Sequence, residues 1–150
     1  MSVTQLKSSS SVRDQVSEAE WQARVDLAAA HRGLAYYGVA DLTYNHLSVR
    51  VPGEPDKLLI KPADYIFEEV TASSLNKFTF DGEPADGRDK PLRGGGLVIH
   101  AGILKARDDI EAVFHTPTTV DVDARASGGA PTEVADAVEA VAVSDHDDDR

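Results

Sequence analysis

The side chains best suited to chemistry in this sequence are its five histidines, His31, His46, His100, His115 and His146, in a chain with no cysteine. Neutral imidazole is a common ligand for zinc and similar cations, and it is the usual proton-transfer group near neutral pH. The lack of cysteine excludes disulfides, zinc–thiolate sites and thiol nucleophiles. His100 reads as a structural histidine on a helix and His31 as a half-buried helix residue. Gly94-Gly95-Gly96 precedes an apolar stretch and could cradle a phosphate at a helix start. The Gly-Lys-Ser/Thr ending of a P-loop is missing, however, and a flexible lead into the helix accounts for the same run. Glu68-Glu69 could be a carboxylate pair for acid–base work. In an extended segment adjacent residues point to opposite faces, which predicts a solvated pair instead.

Residues 1–16, with the Ser8–Ser11 run, have little to bury and are expected to form a mobile lead-in. Ser17-Glu18-Ala19-Glu20 has the form of a capping box. Trp21, Val25 and Ala28 then recur at helical spacing, with Leu27 and Leu34 widening the stripe. Gly38 supplies the left-handed residue that a helix C-terminus uses, so a helix is predicted over about 18–37. Short extended pieces follow at 47–51, which alternates apolar and polar residues before Pro52-Gly53, and at 57–61. A helical turn capped by Thr71 is expected over 71–75, then a strand at 78–80 running into an Asp81-Gly82 hairpin turn. Beyond the loop-like residues 82–96, a helix is predicted over 97–106 with Leu97, Ile99, Ile103 and Leu104 on its buried side. A short buried strand is predicted over 110–114. Helices packed on a sheet in one mixed α/β domain is the fold class these elements imply. After His115 the pattern weakens, and only 133–143 could form an Ala/Val helix.

The chain has 150 residues, 41% of them hydrophobic, which suits one domain with a real core. Its net charge of −11 is uneven: residues 116–150 carry nine acidic side chains against two basic ones. An acidic balance with no basic stripe argues against nucleic acid and against an anionic membrane surface. No stretch approaches the ~18 apolar residues of a membrane span. The polar, Ser-rich start lacks the apolar core of a secretory signal, so the cytoplasm is the expected location.

Three segments carry a family resemblance. Residues 38–53, with Tyr44-Asn45-His46-Leu47-Ser48-Val49-Arg50, resemble the G-H-I-S-V-R stretch near the start of class II aldolase/adducin domains. Leu58-Leu59-Ile60-Lys61-Pro62, followed by Glu69-Val70-Thr71-Ala72-Ser73-Ser74-Leu75, is similar to the family's F-L-I-N-P and E-I-T-A-S-S-L stretches. Val98 to Thr116 resembles the family's helix-then-strand run ending in H-T-H. The three appear in family order and together cover roughly residues 17–116.

The resemblance implies a three-layer α/β/α fold, here incomplete at the C-terminus, and the family's enzymes are often tetramers. It also implies a divalent cation, usually zinc, held by three histidines. That ion polarises the carbonyl of a small hydroxy-carbonyl or sugar-phosphate substrate and stabilises an enediolate. His115 fits the first histidine of the H-x-H pair, as a metal ligand or as a strand-ending histidine satisfied locally. The second position is Pro117, which has no ligand atom, and the only later histidine, His146, lies in unmatched surroundings. Gly96 stands where the aldolase branch has an acid–base glutamate, four residues before His100. Lys61-Pro62-Ala63-Asp64 replaces the phosphate-side N-P-x-G turn, putting a carboxylate where the glycine was. His46 stands where aldolases place an asparagine. It reads either as a substrate or phosphate contact or as a turn residue fixing how the chain leads into the strand.

The expected organisation is a lead-in (1–16), a partial class II aldolase/adducin-like domain (17–116) and a divergent acidic tail (117–150) that resembles out-of-frame translation. The expected function is that of a family domain without a competent metal centre, binding zinc weakly if at all, with self-association as a homo-oligomer a further expectation. The alternatives are a divalent-metal-dependent aldolase, decarboxylase or epimerase with His115 as one ligand, and an adducin-like binding module with cytoskeletal partners.

Overall fold

The computed structural model describes residues 11–87 and 95–116. The expected helix at 133–143, Pro117, His146 and the acidic tail lie outside the described residues. Of the expected lead-in, residues 11–16 are described. A one-turn helix, α1 (Val12–Gln15), is capped by Ser11, whose Oγ accepts from the Asp14 N–H.

Helix α2 (Glu18–Tyr36) starts at Ser17, whose Oγ accepts from the Glu20 N–H at 3.1 Å. Only this half of the expected capping box is present. The Glu20 carboxylate turns inward and accepts from Arg24 Nε (2.9 Å) and Lys77 Nζ (2.8 Å). The buried face of α2 is therefore Glu20, Arg24, Leu27, Ala28 and His31, while Val25 of the expected apolar stripe is exposed. His31 is fully buried rather than half-buried. The helix ends at Gly38 (φ +74°), where the Gly38 and Val39 N–H groups donate to Ala35 and Leu34 carbonyls.

Four antiparallel strands form one sheet in the order β3-β2-β1-β4: β1 (His46–Val51), β2 (Glu54–Ile60), β3 (Asn76–Thr79) and β4 (Ala112–His115). A tight turn with Gly53 at φ +80° joins β1 to β2. The expected Asp81-Gly82 turn is present, with Gly82 at φ +90°, and folds Phe78 back against Pro84. The turn over 71–75 is also present, Thr71 Oγ1 accepting from the Ser74 N–H at 3.1 Å. Glu68-Glu69 belongs to a 3₁₀ turn (Phe67–Glu69) rather than an extended segment, and both residues are exposed as expected.

Helix α3 (Gly95–Ala106) lies on the face of the sheet opposite α2. Leu47, Val51 and Leu59 point to α2 and the Phe67–Leu75 segment, whereas Leu58, Ile60, Phe78 and Val113 point to Leu97, Ala101 and Leu104 of α3. The result is the expected three-layer α/β/α arrangement. The apolar–polar alternation of 47–51 is thus an alternation between two covered faces, since Ser48 and Arg50 are buried beneath α3. Arg50 anchors that helix by donating to the Leu104, Arg107 and Ile110 carbonyls at 2.8–3.2 Å. Ile99, expected on the buried side, is 46% exposed, and His100 and Ala101 take its place. Among the described residues no helix is long and apolar enough to cross a membrane.

Candidate histidine site

Three of the five histidines meet on the α3 face of the sheet. His46 opens β1 and His115 closes β4, and the antiparallel register makes them direct cross-strand partners. Their rings lie 4.8 Å apart with Nδ1 facing Nδ1 at 3.2 Å, a hydrogen-bond distance for one imidazole donating to the other. His100, from α3, brings its ring within 4.8 Å of His46 on another side. Its Nδ1 is hydrogen bonded to Ser48 Oγ at 2.7 Å, while its buried Nε2 has no partner. Ser48 reaches His100 because it lies two residues from His46 on the same strand, and so on the same face.

Burial keeps His46 and His100 neutral. Desolvation, then the neighbouring His115 and Lys61, pushes His46 down to about 4. Desolvation, then His46 and His115, pushes His100 down to about 3. Neutral imidazoles of this kind offer lone pairs and N–H groups without net charge at neutral pH.

Gly96, in the first turn of α3, explains why His46 fits. A Cβ built on Gly96 would lie 1.8 Å from His46 Nε2 and 2.1 Å from its Cδ2. The imidazole occupies the volume that any larger side chain at position 96 would need. The position expected to match the family's glutamate is therefore filled by a side chain from β1.

His31 stands apart, on the α2 face. Its Nδ1–H donates to the Leu27 carbonyl at 2.7 Å and its ring packs edge-on against Phe67. It is a core histidine, pushed down to about 4 by burial. Lys61, noted in the sequence only as part of the altered turn, is also structural. Its buried ammonium donates to the Thr43, Pro62 and Tyr65 carbonyls at 2.8–3.3 Å, and burial lowers it to about 8. The sequence reading missed that His46 and His100 join His115. The signal was available only as a register, because pairing 46 with 115 requires knowing that β4 lies beside β1.

A cavity of about 330 Å³ lies elsewhere, beneath α1 and lined by Val12, Val16, Arg24, Lys77 and Asp86. Arg24 and Lys77 are already paired with Glu20, so the histidine cluster is the better candidate for chemistry.

The class II aldolase and adducin N-terminal domain profile matches residues 25–126. The chain belongs to this family. A protein from Caulobacter vibrioides named "Putative aldolase class 2 protein" is 43% identical over 105 residues, covering 70% of this chain and 41% of that protein. An aldolase II superfamily protein from Pseudomonas syringae, solved by crystallography, shares 44% identity over 72% of this chain and 43% of its own, with a TM-score of 0.67. L-fuculose 1-phosphate aldolase from Glaciozyma antarctica PI12 shares 28% identity over 75% of this chain and 46% of its own, with a TM-score of 0.61. The chain thus spans less than half the length of these relatives.

The family's catalytic ion is expected to need three protein ligands with open positions for substrate. Among the described residues no group of three His, Asp or Glu side chains is arranged to hold a metal ion. His115 lies at the end of β4 beside His46, and position 117 is proline. The residues described do not fit the three-histidine ion.

Proposed function

We propose that this chain is a class II aldolase/adducin-family domain that lacks a competent catalytic metal centre. The observation that carries this reading is the ring of His46 lying in the space of a side chain at position 96. An acid–base carboxylate from α3 cannot share that space, and His46, pushed down to about 4, is a weak base at neutral pH. Pro117 supports the reading from the sequence, since it stands where the resemblance expects the second H-x-H ligand.

The competing reading is a metal-dependent lyase acting on a small hydroxy-carbonyl or sugar-phosphate substrate, favoured by the likeness to L-fuculose 1-phosphate aldolase. Assaying the purified chain with L-fuculose 1-phosphate and related short hydroxy-carbonyl phosphates, with added zinc or manganese, separates the two. The first reading expects no turnover above the metal-only blank. Turnover that a chelator abolishes and that His115→Ala removes establishes the lyase instead.

A further inference from the structure

The cavity beneath α1 is lined by two buried cations that have donors to spare, and buried donors without acceptors are uncommon. Arg24 donates from Nε to Glu20 at 2.9 Å and from Nη1 to the Leu75 and Ala72 carbonyls at 2.8 and 3.3 Å. Its buried Nη2 lies 2.8 Å from the same Glu20 oxygen, yet out of line for a hydrogen bond, and has no hydrogen-bond partner. Lys77 Nζ donates to Glu20 (2.8 Å) and to Glu54 (2.7 Å). That leaves the last N–H of the ammonium without an acceptor among the described residues. We propose that this cavity binds an α-amino acid zwitterion with an aliphatic side chain. The ligand's carboxylate accepts from Arg24 Nη2 and Lys77 Nζ, its ammonium donates to Asp86, and its side chain lies against Val12, Val16 and Ala85.

Charge selects the class of ligand. Arg24 and Lys77 are accompanied by Glu20, Glu54 and Asp86, so carboxylates already outnumber cations around the cavity. A lone anion would add to that excess, and a lone cation would leave the spare donors unanswered. A neutral molecule carrying both charges answers each side. Asp86 Oδ2 accepts from the Lys77 backbone N–H at 3.0 Å, and a carboxylate has further acceptor positions for an ammonium. The other walls are apolar: Val12 and Val16 come from α1, and Ala85 from the segment whose N–H donates to the Lys77 carbonyl. A volume of about 330 Å³ is at the small end of ligand pockets, which suits a molecule of amino-acid size. Helix α1 provides the entry. It buries no side chain, and among its ties are an exposed Arg13–Glu18 pair and the Arg13 guanidinium over the Trp21 ring at 5.5 Å. An exposed ion pair contributes little, so this roof can lift. The cavity is on the α2 side of the sheet, away from the histidine cluster, so its occupation is independent of the proposed function.

The test titrates the full chain with L-leucine and follows binding by calorimetry and by nuclear magnetic resonance. The expected result is saturable binding of one equivalent. Two analogues each remove one charge: L-leucinamide lacks the carboxylate, and 4-methylpentanoate lacks the ammonium. Each should bind at least about thirtyfold more weakly, the scale of stranding one partner of a buried charge pair. Asp86→Asn keeps the shape of the side chain and should abolish most of the preference for L-leucine over 4-methylpentanoate. Ala85→Leu fills the cavity and should remove binding of all three compounds. Val16→Trp fills it from the α1 side, and serves where Ala85→Leu does not fold by circular dichroism. No saturable binding of L-leucine overturns the site. So does equal affinity for L-leucine and either analogue, a preference indifferent to Asp86→Asn, or binding that survives the filling of the cavity.

Discussion

On the α2 face of the sheet, Glu20, Arg24 and Lys77 are buried as ions. On the α3 face, His46, His100 and His115 are gathered as imidazoles. The ions are compensated: Glu20 accepts from both cations, Lys77 also reaches Glu54 (2.7 Å), and Arg24 donates to the Leu75 carbonyl at 2.8 Å. Burial suppresses the charge of His46 and His100, and His100 Nε2, like His31 Nε2, has no hydrogen-bond partner. His31 sharpens the contrast because it is an equally buried histidine on the α2 face, yet it is isolated and makes a core contact with Phe67. A lowered pKa is common to His31, His46 and His100, so it does not mark a site. What marks the α3 face is that three imidazoles meet there, two of them as direct cross-strand partners.

The contrast is most open to attack on its ionic side. Glu20→Ala strands Arg24 and Lys77 in an environment where Glu20 itself is 2% exposed. Breaking a buried network by removing one partner costs about 3–5 kcal/mol, so urea unfolding should show a loss of that size. A loss under about 1 kcal/mol would mean the face is open to water and the network is a surface one.

The imidazole side is tested by crowding it. Gly96→Ala should destabilise by about 1–3 kcal/mol, because the new Cβ overlaps the His46 ring. In a His46→Ala background the same change should become neutral or stabilising, since alanine is the better helix former by about 1 kcal/mol. The double-mutant cycle in urea reads this coupling directly. Additivity would show that His46 does not fill the space above Gly96.

His31 gives the acid test of the α2 face. Its folded pKa of about 4 lies below the unfolded value of 6.5, so the unfolded chain binds the extra proton first. The stability of neutral burial is complete above 6.5, falls as the pH drops through that value, and stops falling near 4. At pH 5.5 the loss from this one residue is on the order of 1.5 kcal/mol. His31→Leu should flatten the pH dependence by that share. An unchanged slope would mean that the ring is protonated, or hydrated, in the folded state.

Much of this architecture was legible where backbone rules dominate. Ser17 and Gly38 bracket α2 because a hydroxyl cap and a left-handed glycine act locally, and Pro52-Gly53 and Asp81-Gly82 mark turns for the same reason. The inward faces were less legible. Val25 and Ile99 were expected inside on periodicity, but Arg24 and His100 took those directions, each buried through partners far along the chain, Leu75 and Ser48. A hydrophobicity stripe cannot register a charged or polar residue whose compensation is tertiary. The site was read from one end only. His115 was singled out by resemblance, His46 was left between a substrate contact and a turn residue, and His100 was given a structural role. Their meeting depends on the β1–β4 register, which spans 69 residues of sequence.

The loop that delivers His46 to the sheet offers the smallest and most local test. Leu42 has a φ of +48° and a side chain 69% exposed, so it bears a left-handed backbone without the burial that would offset it. The loop is held by the Tyr44 N–H donating to the Asp41 carbonyl and by the Asp41 N–H donating to Asn45 Oδ1, with Asn45 buried just before His46. For a residue with a Cβ the left-handed region costs roughly 1–2 kcal/mol, a cost glycine does not carry. Glycine's greater freedom in the unfolded chain takes back part of that gain. Leu42→Gly is therefore expected to raise stability by up to about 1 kcal/mol, read as a higher urea midpoint, while leaving the His46–Gly96 coupling intact. A destabilised Leu42→Gly would show that the exposed leucine makes a contact worth more than its strain.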